Sequence, residues 1–158
     1  MAGVSPFPLQ RVSIVSKPVF ASAADAETAF YDALARSDLA AMMAVWSEDD
    51  EVVCIHPGGP RVVGLNAVRE LWRQILASGV RLNVRTTGKV VVSSTLVQTV
   101  HSVLEEIAEA GSEPTGPPIV ATNVYTLGDH GWRMVMHHAS PTPDLMDLHL
   151  HGNPRVVH

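Results

Sequence analysis

The prevailing hydrophobic rhythm of this chain changes at Gly79, and that change constrains the fold more than any other feature. Before Gly79, apart from one short strand-like run, apolar residues recur at helical spacing. After it come four long stretches rich in Val, Thr and Ile, separated by turns and one longer loop. Helices followed by consecutive strands predict an α+β domain, with helices covering one face of an antiparallel meander. The 158 residues suffice for a single domain with one sizeable core.

The helical part opens at Ser22, which is placed to cap a helix with Asp25 three positions later. Ala26, Ala29, Phe30, Ala33 and Leu34 share one face of that helix. Ser37-Asp38 breaks it and caps a second, whose apolar face is Leu39, Met42, Met43 and Trp46. After an acidic turn, Val52-Val53-Cys54-Ile55-His56 reads as a short buried strand, and Pro57 to Gly64 as a Gly- and Pro-rich loop. Val68, Leu71, Trp72, Ile75 and Leu76 then define a third amphipathic helix that Gly79 can cap. Strands are predicted over 81–93, 95–107, 118–127 and 132–140. Residues 1–23 read as a flexible arm, 24–141 as the folded domain and 142–158 as a tail carrying His149 and His151.

Several function classes are disfavoured at this level. A net charge of −5, with eight His taken as neutral, offers no phosphate-neutralising surface, so nucleic acid is not an expected partner. A single cysteine, Cys54, excludes an internal disulfide and fits a reducing cytoplasm. No apolar run is long enough to span a bilayer, so no membrane partner is expected.

The order helix–helix–strand–helix–four strands resembles the nuclear-transport-factor-2-like superfamily, which includes ketosteroid isomerases and SnoaL-like polyketide cyclases. The likeness runs from about Ala24 to Pro141 and is carried by SDLAAMMAVWSEDDEVV, by Gly64 before NAVRELW, and by ATNVYTLGDHGWRMVMHHASP. The resemblance implies a cone: a curved antiparallel sheet packed on three N-terminal helices, enclosing a cavity, usually in a homodimer. Compared with the ketosteroid isomerases, the general-base Asp-Pro becomes His56-Pro57. One oxyanion donor becomes Asn123, and the other falls on Phe30, beside Tyr31. The same comparison turns the Met136/His138 face of the last strand into the cavity, with Asn123 and His138 across from His56.

His56 is the leading catalytic candidate on its own terms, since an imidazole suits acid–base work near neutral pH and a Pro-Gly-Gly turn lets backbone approach a ligand. Asn123 and His138 are expected to assist it. Phe30, Tyr31, Trp46, Trp72 and Met136 are expected to contact a ligand, since apolar walls with a few polar groups suit small molecules. No zinc-like spacing occurs; His56, His101 and His138 are the one set that strand geometry could gather, and neither metal nor cofactor is expected. The favoured reading is a homodimeric domain, paired through the outer face of its sheet, that binds a small apolar organic ligand. The alternative is a cofactor-independent isomerase, cyclase or hydratase with His56 as general base on a small cyclic apolar substrate. A third is a pure dimerisation domain with a filled cavity.

Overall fold

The computed structural model describes residues 17–79 and 81–142. The proposed arm before residue 17 and the tail beyond residue 142, with its His149 and His151, lie outside the described residues. Three helices, α1 (Ala23–Arg36), α2 (Leu39–Val45) and α3 (Leu65–Ala77), pack on a curved, unclosed six-stranded sheet. Its strands are β1 (Val53–Ile55), β2 (Arg61–Val63), β3 (Asn83–Ser93), β4 (Val97–Ile107), β5 (Ile119–Gly128) and β6 (Gly131–Pro141), ordered β2-β1-β6-β5-β4-β3.

Local chemistry accounts for most boundaries. Ser22 and Asp25 form a reciprocal capping box at the start of α1, and the Asp38 carboxylate accepts the Ala41 amide at the start of α2. α3 buries Val68, Trp72 and Leu76 along one stripe. The main core joins Phe20, Phe30, Met42, Val45, Trp46, Trp72, Tyr125 and Met134 between the helices and the sheet's inner face.

Two features depart from the expected meander. The sheet is mixed, because β1 lies parallel to β6 while every other pairing is antiparallel. Part of the expected loop is also a strand: β2 pairs with β1 at the sheet edge, its three residues too few for periodicity to reveal. The sheet carries two bulges. One interrupts β3 between Thr87 and Val90, where Gly88 supplies a φ of 56°. The other inserts Val135 into β6, opposite the Val124–Tyr125 step of β5.

Candidate functional site

The β6 bulge decides which side chains face inward. Alternation read from Trp132 places Met134, Met136 and His138 together on the inner face. The inserted residue leaves Met134 fully buried but moves Met136 and His138 to the exposed outer face, turning His137 and Ala139 inward. A one-residue slip exchanges the two faces of a strand. The expected inward placement of Met136 and His138 is therefore corrected: Met136 lies with Val53, Val124 and Val135 in a shallow outer depression, and His138 has no hydrogen bond to Asn123. Trp46 is also corrected as a wall residue. It is 0% exposed in the core, bridged to Met134 at the end of α2.

A hollow of about 440 Å³ opens between α1, α3 and the far end of the inner sheet face. Its origin is a taper in side-chain size. Along β5 and β6 the inner positions pass from Tyr125 and Met134, through Asn123 and His137, to Ala121 and Ala139. The large residues close one half of the face against the helices. The alanines leave the other half unfilled, and Phe30, Tyr31, Trp72, Leu104 and Ile119 wall it.

His56 reaches this hollow because its segment, His56-Pro57-Gly58-Gly59, folds as a type II turn. Pro57 takes the first corner, Gly58 the second at φ 70°, and the Gly59 amide donates to the His56 carbonyl at 2.9 Å. The His56 ring stands edge-on to Trp72, 4.5 Å between centroids, and 5.7 Å from the His137 ring. Its Nε2 lies 3.4 Å from Cys54 Sγ, while its Nδ1 is buried with no partner among the described residues. Burial pulls the His56 pKa down to about 4. Burial, reinforced by the neighbouring His56 and His138, pulls His137 down to about 3. Both rings are neutral at physiological pH. Burial pushes the Cys54 thiol up to about 12, which leaves it unreactive.

Behind the wall runs a short hydrogen-bonded chain. Asn123, fully buried, offers Oδ1 to His137 Nδ1 at 2.7 Å and donates from Nδ2 to the Tyr31 hydroxyl at 3.2 Å. With Nδ1 committed, Nε2 is the ring nitrogen that His137 can present to the hollow. Burial, with the Glu27 charge adding to it, raises the Tyr31 phenol to about 12. Of the expected site residues, the structure thus brings His56, Phe30, Tyr31 and Trp72 to one hollow, with Asn123 behind it. It adds His137, which the strand's alternation had turned outward. The His56, His101 and His138 set is not gathered, because His101 is exposed and bonded to Thr122 on the outer face.

A three-helix cone with a one-sided hollow defines a class shared by many sequences, and the comparisons with known proteins agree. The profile of the SnoaL-like domain matches residues 24–144. The chain belongs to this family, within the NTF2-like superfamily. A Thiobacillus denitrificans protein, described provisionally as a calcium/calmodulin-dependent protein kinase type II association domain, is 37% identical; the match covers 80% of this chain and 99% of that one, with a TM-score of 0.73. A Streptomyces avermitilis protein, described provisionally as a dehydratase of the NTF2-like family, is 29% identical over 75% of this chain and 92% of its own, with a TM-score of 0.67. The F-box protein SKIP8 of Arabidopsis thaliana is 28% identical over 115 residues, which is 72% of this chain and 46% of that protein. The chain spans less than half the length of that curated relative. No helix among the described residues is long and apolar enough to cross a membrane.

Proposed function

We propose that this domain binds a small, mostly apolar organic molecule in the hollow between α1, α3 and β4–β6. The observation that carries the reading is the pairing of an apolar wall with one backed polar group: His137, held by Asn123, beside Phe30, Trp72 and Leu104. Apolar surface supplies affinity, and a single oriented polar group supplies orientation. Titration with 2-naphthol, followed by tryptophan fluorescence and by thermal shift, tests it. Saturable binding that raises the melting temperature is expected. Ala139→Trp, which fills the hollow, is expected to abolish binding while the protein stays folded. Retained binding in that variant would place the ligand elsewhere.

Catalysis with His56 as general base is the weaker reading. Its support is two imidazoles facing one hollow and the provisional dehydratase among the similar structures. Bases with pKa values of about 4 and about 3 carry no proton to give at neutral pH and hold an abstracted one poorly.

We further propose that the domain pairs with a second copy through the outer sheet face. Cross-strand register places Val53, Val90, Val92, Val97, Val124 and Met136 on that face, an apolar surface suited to an isologous contact. The description of the Thiobacillus protein as an association domain adds support. Sedimentation near twice 17.0 kDa, reduced to the monomer mass by Val124→Lys, is the expected outcome. A monomer at micromolar concentration would remove this part of the proposal.

A further inference from the structure

The inner face of β4 ends on a charge. Its inward positions Val100, Ser102 and Leu104 are buried, and alternation carries the next one, Glu106, to the mouth of the hollow. Register agrees, since Glu106 pairs with Val84, another wall residue. The backbone is fixed there, because the Glu106 carbonyl accepts the Thr115 amide at 2.8 Å. The Glu106 side chain is exposed and forms no ion pair among the described residues.

No cation answers it. Among the described residues that line the hollow, Glu106 alone carries a formal charge, since burial keeps His56 and His137 neutral and Tyr31 protonated. The rim segment 105–118 adds Glu105, Glu109 and Glu113 and holds no Lys or Arg. Arg85, opposite Glu105 on β3, is engaged by that carboxylate at 2.8 Å. Arg81, just before the wall residue Leu82, is exposed and outside the lining.

A mouth lined by one sign of charge over low-dielectric walls focuses the field that an entering molecule meets. An anion would shed water to enter and find a carboxylate with no cation opposite. An organic cation would bury its apolar body against Phe30, Trp72 and Leu104. Its charged end would stay hydrated at the rim beside Glu106, so neither charge bears the cost of full burial.

We propose that Glu106 selects the ligand by charge, and that the hollow takes a hydrophobic amine: an aromatic or alicyclic body with a protonated nitrogen at one end. This rests on the reading that the hollow binds a small organic molecule, and it names the chemical class of that molecule.

Calorimetric titration of the full chain at neutral pH with 2-naphthylmethylamine, 2-naphthol and 2-naphthoic acid tests it: one apolar body carrying positive, zero and negative charge. At low ionic strength the amine is expected to bind roughly fivefold tighter than the acid, the span that one exposed charge gives between ligands of opposite sign. The gap is expected to narrow in about 0.5 M salt. Glu106→Gln is expected to remove most of the gap. Glu109→Gln, which changes the net charge equally at a residue outside the lining, is expected to keep most of it. If the gap survives Glu106→Gln, or shrinks as much in Glu109→Gln, the charge of the whole chain sets the preference and Glu106 loses its role. If 2-naphthol binds and the amine is no tighter than the acid, the charge selection is overturned while the ligand reading stands. If none of the three compounds binds, the ligand reading itself fails and takes this inference with it.

Discussion

The inner face of this sheet has two halves built on the same strands, and they do opposite things. Under α2, Tyr125 and Met134 are 0% exposed and close-packed against Trp46 and Met42. Four residues back along β5 and five residues on along β6, Ala121 and Ala139 stand where side chains of that size would fill the space, and a hollow of about 440 Å³ remains. A filled half stabilises and an unfilled half can bind. Asn123 and His137 sit at the boundary, where their polar atoms can be satisfied from one side and presented on the other.

The contrast can be broken or sharpened by experiments of decreasing expected effect. Acid should act most strongly, because the boundary histidines are neutral in the fold. Their folded pKa values, about 4 and about 3, lie below the ordinary 6.5, so the unfolded chain binds more protons in the intervening range. Stability is therefore full above about pH 6.5 and falls as pH drops toward about 3, with uptake of up to two protons on unfolding. Denaturant melts across that range check it, and a flat profile would mean that the two rings are not buried as described. Next, Met134→Ala in the filled half should cost about 2–5 kcal/mol by chemical denaturation. Ala139→Val in the hollow should change stability by less than about 1 kcal/mol, since it grows into open space. A cost matching that of Met134→Ala would show that both halves are packed alike. Met136→Thr on the outer face should stay within about 0.5 kcal/mol in the monomer.

Much of the architecture was legible beforehand because its signals are local. The capping box at Ser22 and Asp25, the break at Ser37-Asp38 and the α3 stripe each depend on residues within one or two turns of one another. The inward placement of Asn123 on β5 came from the resemblance, and alternation then carries Ala121 and Tyr125 to the same face. The candidate site was less legible. His56 and Tyr31 reach the hollow as residues on well-signalled elements, but β6 was read on the wrong face from Met136 onward.

The amino-acid order by itself determined the helices, the four long strands and the family to which they belong, because periodicity and capping act over a few residues. Tertiary structure alone decided three things: that β1 pairs parallel to β6, that a three-residue edge strand forms at 61–63, and that His137 rather than His138 meets Asn123. The last turns on one extra residue accommodated at Val135. A bulge is settled by how two strands twist and pair, so no repeat within β6 could announce it.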